Sequence, residues 1–292
     1  MRLPHHPALH AGELIDFLAR RAVPGVEEVV DGVYRRSLAD GSILAITPGA
    51  DVEGNVDAAR AILRLDADPD AIEARLGDDP LLGPLVRAAP GRRVPGHPDR
   101  AELAVRALLG QQVSVAAART LAGRLVAAAG EPLETPSGGI SHRFPTPAAL
   151  AALDPEELPM PRARGRALVG LAAAFAAGEP FDERLPGVGP WTVAYVALRS
   201  GDDDAFLPTD LGVKHGLAAL GADATDAAEI AEAWRPCRGF AVAHLWAVAA
   251  GASPNVNCPT QPPSTSAGAP LRAPTPPLPD TAPRSGRCGA RP

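Results

Sequence analysis

Apolar residues in this chain recur mainly at helical spacing, with one short stretch of alternation near the start. Over residues 12–21, Leu14, Ile15, Phe17 and Leu18 share one face of a predicted helix. Residues 33–38 and 42–46, joined through Asp40-Gly41, predict a β-hairpin. Further helices are predicted over residues 55–65 and 69–76. Two short strands are too few for a self-supporting sheet, so residues 1–90 read as a small mixed α/β domain that supports the rest. A turn-rich boundary, PGRRVPG, spans residues 90–96. From Pro98 the pattern is helical and Ala-rich, with helices over 99–109 and 113–129 meeting at Gly110-Gln111-Gln112. Short helices follow over 145–153 and 155–158, then longer ones over 161–177, 191–199, 223–234 (capped by Thr225) and 239–250. The last stretch, 252–292, is rich in Pro, Ser and Thr without apolar period and reads as a disordered tail. The expected organisation is a mixed α+β domain over 1–90, an all-helical domain over 91–251 and the tail, mainly α in sum.

Composition narrows the function. The chain has 292 residues and a formal net charge of −6, which argues mildly against a phosphate-backbone partner unless a local basic face exists. All but one of its 28 basic residues are arginine, so a Schiff-base mechanism has only Lys214 to use. Three cysteines cannot supply a four-thiolate iron–sulfur cluster, and a reduced cytoplasmic protein is the simplest account of them. The N-terminus lacks the apolar core of a signal peptide, and no apolar run is long enough to span a bilayer. The seven histidines are scattered, and none is spaced with a carboxylate as a metal site would require.

One stretch carries most of the chemistry. Leu185-Pro186-Gly187-Val188-Gly189-Pro190 predicts a tight hairpin, because only glycine takes positive φ freely, and a helix opens directly after it at Trp191. Such a junction points backbone N–H groups and a positive dipole end outward, a surface suited to a phosphate. Farther on, Asp210 stands between FLPT and LGVKHGLAAL, where an Asp caps a helix. Arg162, Arg164 and Arg166 crowd a helix start, where cations oppose the dipole, and suit either a phosphate-facing or a solvated face.

LPGVGPWT followed by FLP, one residue and an aspartate resembles the helix-hairpin-helix superfamily of base-excision DNA glycosylases, most closely the alkylation-repair branch typified by DNA-3-methyladenine glycosylase II. RAELAVRALLGQQVSVAAARTLAGRLV, FPTPAALAALDPEEL and AWRPCRGFAVAHLWA extend the likeness over most of residues 1–250. The resemblance implies a helix-hairpin-helix glycosylase fold and a monofunctional enzyme that flips alkylated bases from duplex DNA and hydrolyses the glycosidic bond. It places the catalytic carboxylate at Asp210, which would stabilise an oxocarbenium-like transition state and orient or deprotonate the attacking water. It assigns the base pocket to Trp191, Tyr195 and Trp246, the phosphate grip to residues 185–190, and the duplex wedge to Gln112. Each has a plainer alternative: Asp210 as an ordinary cap, the tryptophans as core, Gln112 as part of a helix-joining turn.

Lyase-competent relatives carry a lysine where this chain has Trp191, and the spacing of Lys214 from Asp210 suits an i,i+4 ion pair, so water is the expected nucleophile. The implied setting is a cytoplasmic, nucleoid-associated monomer acting on duplex DNA with alkylated bases, with no membrane partner, metal or cofactor beyond a monovalent cation at the hairpin backbone. Two departures stand out. Only six residues, 179–184, separate Gly178 from the hairpin where the family has a whole helix, and the N-terminal sheet looks abbreviated. A non-catalytic helix-hairpin-helix DNA-binding protein is the alternative, although a phosphate clamp needs none of Asp210, Trp191 and Trp246.

Overall fold

The computed structural model describes residues 1–5 and 9–251; the tail expected over 252–292, with Cys258 and Cys288, lies outside the described residues. The predicted hairpin is present as β2 (Val33–Ser37) and β3 (Ile43–Ile46), but it is only the middle of a sheet. With β1 (Glu27–Val30) and β4 (Val52–Glu53) it forms a four-stranded antiparallel meander in chain order, so the expectation of two strands is corrected. The missed turn is Asp31-Gly32, whose φ values of 50 and 77° suit a two-residue primed turn and set Val30 opposite Val33. Helix α1 (Ala11–Arg21) and α2 (Val56–Leu63) cover the sheet, burying Leu14, Ile15, Leu18, Ile62 and Leu63 against Tyr34, Leu44 and Ile46.

The rest of the described chain is mainly helical: α3 (Pro69–Leu76), α4 (Gly83–Ala88), α5 (Arg100–Leu109), α6 (Val115–Ala129), α7 (Pro147–Ala151), α8 (Arg162–Ala176), α9 (Pro190–Arg199), α10 (Leu211–Ala219), α11 (Ala227–Glu232) and α12 (Arg238–Ala249). Side-chain caps set several starts: Asp99 accepts from Ala101 and Glu102 N–H at α5, and Ser114 from Ala117 at α6. Three local expectations are corrected. Residues 155–158 form turns rather than a helix. The helix expected over 223–234 is a 3-10 turn (Ala224–Asp226) followed by α11, and its cap is Asp223, whose carboxylate takes the Thr225 N–H at 2.9 Å. A second hairpin, β5 (Pro132–Ser137) with β6 (Ile140–His142), follows α6 unannounced by the pattern.

The buried side chains gather in three cores that do not divide at residue 90. One belongs to α1, α2 and the sheet. A second joins α5, α6 and α8 with Val188 and Val196. The third takes Ile72 to Val94 into the same cluster as α10, α11 and α12, so α3 and α4 pack with the C-terminal helices. Among the described residues no helix is long and apolar enough to cross a membrane.

A buried ion network fastens the sheet to α5. Arg36 of β2 meets Glu102 at 2.6 Å; Arg106 meets Glu27 at 3.0 Å and Glu102 at 2.8 Å. The Tyr34 hydroxyl and the Val23 N–H also donate to Glu27, at 2.6 and 2.9 Å. Burial alone would raise both carboxyls, but the two guanidinium groups outweigh it and hold Glu27 below, and Glu102 well below, the usual carboxylate range. Glu27, His97 and Glu102 cluster within 4.8 Å, yet the charge that would draw a divalent cation is already neutralised by Arg36 and Arg106.

The same burial makes stability acid-sensitive. His244 of α12 is buried with Nδ1 unpartnered, and desolvation followed by nearby Arg92 pushes its pKa from 6.5 to about 3. Between those values the unfolded chain binds a proton that the folded one refuses, so stability is full above the unfolded pKa and falls as pH drops. This one group is expected to cost on the order of 3 kcal/mol between pH 7 and pH 4. Thermal melts across that range are expected to show a falling Tm, with a shallower slope in His244→Leu; an unchanged slope would reject the assignment.

Candidate active site

A cleft of about 820 Å³ opens between α1, the start of α6, α9, Asp210 and α12. Asp210 caps α10 through the Val213 N–H, which its Oδ1 accepts at 3.0 Å. That oxygen also accepts the indole N–H of Trp246 at 2.8 Å, and Oδ2 accepts that of Trp191 at 2.9 Å. Three donors from three elements therefore converge on one carboxylate. Trp191 stacks on Tyr195 with ring centres 5.0 Å apart, and Tyr195 lies 6.4 Å from Trp246. The four residues expected at the site from positions 191 to 246 are thus brought together as one unit.

The structure adds residues that the sequence reading left out. Phe17 of α1 lies parallel to Trp246, centroids 6.0 Å apart, and completes the aromatic wall. Its own ring is already covered by a resident cation: the Arg21 guanidinium sits 3.7 Å from the ring centre and that of Arg199 5.0 Å. Burial lowers the Arg21 pKa to about 10, and its Nη1 donates to the Phe17 carbonyl at 3.3 Å. Gly212 is the other addition. A Cβ there would lie 2.7 Å from Cδ1 of Trp246, so only glycine lets that indole reach Asp210. Nothing local in the sequence marks Phe17, which precedes the start of α9 by 173 residues.

The hairpin at residues 185–190 forms a turn, with the Val188 N–H donating to the Leu185 carbonyl at 3.0 Å, and Gly189 and Pro190 open α9. Residues 178–189 hold no helix, as the short spacing implied. Other elements brace the hairpin instead. Phe181 stacks on Phe175 of α8 at 5.7 Å, and Leu185 and Val188 pack into the α5–α8 core. Gly187, at φ +78°, lies so close that a Cβ would be 2.8 Å from that of Ala167 in α8 and 3.2 Å from Leu108 of α5.

Gln112 is exposed and holds φ +57°, a left-handed conformation that costs a non-glycine residue about 1–2 kcal/mol. Beside it, Gln111 donates from Nε2 to the Gly187 carbonyl and to Thr192 Oγ1, both at 2.9 Å. Arg164 donates to the Gln111 carbonyl at 2.9 Å, so this arginine braces the turn, while Arg162 and Arg166 pair with Glu156 at 2.9 and 2.7 Å. The expected ion pair between Lys214 and Asp210 is corrected: among the described residues none joins them, because the Asp210 oxygens are already occupied by indole and backbone N–H groups. Lys214 also does not line the cleft. Of the triplet Asp202–Asp204, Asp203 is engaged by Arg64 and Asp204 by Arg235 and Arg238, while the Asp202 carboxylate accepts the Asp204 N–H at 2.9 Å.

Charge within the cleft opposes the overall balance. Arg20, Arg21, Arg92, Arg93, Arg106, Arg119 and Arg199 line it, against Glu13, Asp16 and Asp210. Arg20 and Arg119 are the exposed cations among them, whereas Arg92, Arg93 and Arg199 are buried and Arg92 is paired with Glu13.

Comparison with known proteins gives a consistent picture. Residues 1–99 match the AlkA N-terminal domain, and residues 105–238 match the HhH-GPD superfamily base excision DNA repair protein model. The chain is 41% identical to the probable bifunctional transcriptional activator/DNA repair enzyme AlkA of Mycobacterium tuberculosis, over 84% of this chain and 56% of that protein. It thus spans little more than half the length of that relative. It is 38% identical to DNA-3-methyladenine glycosylase 2 of Escherichia coli, over 80% of this chain and 92% of that one. The fold is shared with the 3-methyladenine DNA-glycosylase of Archaeoglobus fulgidus, with a TM-score of 0.69 at 21% identity, covering 87% and 98% of the two chains.

The close approach at Gly212 yields a direct check. In Gly212→Ala the added methyl is expected to push the Trp246 indole off Asp210 and break one charge-assisted hydrogen bond. Of the three indole N–H signals in a proton–nitrogen NMR spectrum, that of Trp246 is expected to move strongly. That of Trp234, bonded to Asp79 at 2.8 Å, is expected to stay. An unmoved Trp246 signal would show that the contact is not needed.

Proposed function

The chain belongs to the HhH-GPD superfamily of base excision DNA repair proteins, and we propose that it is a monofunctional DNA glycosylase. Its substrates are alkylated bases of the 3-methyladenine type, flipped from duplex DNA and removed to leave an abasic site. The observation that carries this reading is the Asp210 carboxylate held by two indole N–H groups in an aromatic cleft large enough for an extruded nucleotide.

The chemistry follows from those residues. A base alkylated on a ring nitrogen is cationic and leaves readily, so the enzyme needs little acid catalysis. Trp191, Tyr195 and Trp246 offer electron-rich faces to it. As the C1′–N bond lengthens, positive charge builds on the sugar, and a carboxylate fixed by N–H donors stabilises it without having to reorganise. Asp210 then orients, or takes a proton from, the water that attacks C1′. Lys214 stands outside the cleft, which supports hydrolysis over a Schiff-base lyase step. Arg21 and Arg199 temper the electron-rich character of the wall near Phe17.

DNA is the proposed macromolecular partner. The hairpin of Leu185, Pro186, Gly187, Val188, Gly189 and Pro190 grips a phosphate at the start of α9, and a monovalent cation at its carbonyls would stiffen that grip. Gln112 fills the gap left by the flipped nucleotide and can hydrogen-bond the orphaned partner base. The exposed Arg20 and Arg119 at the cleft supply attraction that the net charge does not. The proposed setting is a monomer in the cytoplasm.

The test is release of 7-methylguanine and 3-methyladenine from N-methylated duplex DNA by wild type and Asp210→Asn. Asparagine has one acceptor oxygen where the three donors need two, so the variant also unseats an indole. Wild type is expected to release free base, with strands cut only after alkali, and Asp210→Asn to be slower by at least about 100-fold. Duplex binding with no release by wild type would instead support a non-catalytic DNA-binding protein.

A further inference from the structure

We propose that Gln111 is a positioning residue that couples the phosphate-gripping hairpin to the wedge at Gln112. This rests on the glycosylase reading only in that Gln112 enters the duplex. Three elements meet at Gln111. Its side-chain amide donates at 2.9 Å to the carbonyl of Gly187, inside the hairpin, and at 2.9 Å to Oγ1 of Thr192. Thr192 is itself buried on α9, next to pocket residue Trp191. The Gln111 carbonyl receives Arg164 Nη2 of α8 at 2.9 Å.

The next residue is the one that has to be held. Gln112 keeps a left-handed backbone without being glycine, and a conformation of that kind persists only where its surroundings impose it. Gln112 itself is exposed, so the constraint on its backbone must come from the adjoining residues. Gln111 supplies it with bonds on both sides of its own backbone. The result is a fixed offset between two contacts on DNA: the phosphate held at the hairpin and the stack entered by the wedge. Seating the phosphate therefore aims Gln112, and the same bonds tie that turn to the helix bearing Trp191.

Such a role separates from simple structural support. Full-length wild type, Gln111→Ala, Gln112→Ala and the double variant are compared on duplexes carrying 7-methylguanine next to 2-aminopurine, whose fluorescence rises on unstacking. Gln111→Ala is expected to melt like wild type and to bind undamaged duplex within about two-fold, since the hairpin is intact. Its unstacking amplitude and single-turnover release are expected to fall about ten-fold, as in Gln112→Ala, and the double variant is expected to fall about ten-fold and not a hundred-fold. Thr192→Ser is expected to retain flipping and Thr192→Val to lose part of it. Multiplying effects in the double variant would overturn the proposal. So would a loss of duplex affinity with normal unstacking in the bound complex, which would make Gln111 a part of the grip alone. Wild type that unstacks 2-aminopurine without releasing base would defeat the enzyme reading while the variants still decide the coupling; wild type that does neither would defeat both.

Discussion

A carboxylate set into an aromatic cleft must have its lone pairs filled, and at Asp210 they are filled by groups that lie far apart along the chain. The Val213 N–H comes from its own helix, the Trp191 indole from α9 and the Trp246 indole from α12. Each hydrogen bond tolerates only a few tenths of an ångström, so together they fix the relative placement of three helices. The fit between α10 and α12 shows the demand from the other side: glycine stands at 212 where a side chain would strike Trp246, and at 216 where it would strike the Leu245 backbone. An arrangement this costly is poorly explained by capping alone, since a cap needs only the Val213 bond.

The N-terminal domain does more than support. Phe17 and Arg21 of α1 form one wall of the cleft, and the buried Glu27–Arg36–Glu102–Arg106 network locks that region to α5. Arg106 extends the lock by donating to the Arg21 carbonyl at 2.8 Å. Removing one member would strand its partner's charge in a dry interior, a loss of about 3–5 kcal/mol. The network therefore sets where the α1 wall stands with respect to α9.

The missing helix ahead of the hairpin turns out to be a substitution of supports. A hairpin needs apolar anchors on each side of its tight turn, and here Leu185 and Val188 find them in α5 and α8, with Gly187 pressed against Ala167 and Leu108. The Phe175–Phe181 stack holds the incoming chain. Because α5 leads straight into the turn bearing Gln111 and Gln112, the same packing that replaces the helix also brings the hairpin and that turn into one assembly.

What is local was legible in the chain. Helical period and caps placed α1, α2, α3, α5, α8 and α12 within a few residues. The paired glycines marked the hairpin, and the spacing of Asp210 marked the carboxylate. Where two local signals were close in strength it misled: Asp223 rather than Thr225 caps its turn, and Asp31-Gly32 turns the chain as surely as Asp40-Gly41. Long-range packing settled the rest. That Phe17 faces Trp246, that Asp210 answers two indoles and not Lys214, and that Gln111 reaches Gly187 are contacts between residues 19 to 229 positions apart. Periodicity reports which face of a helix is apolar; it carries no information about which distant face it will meet, because that choice is made by the packing of all three cores at once.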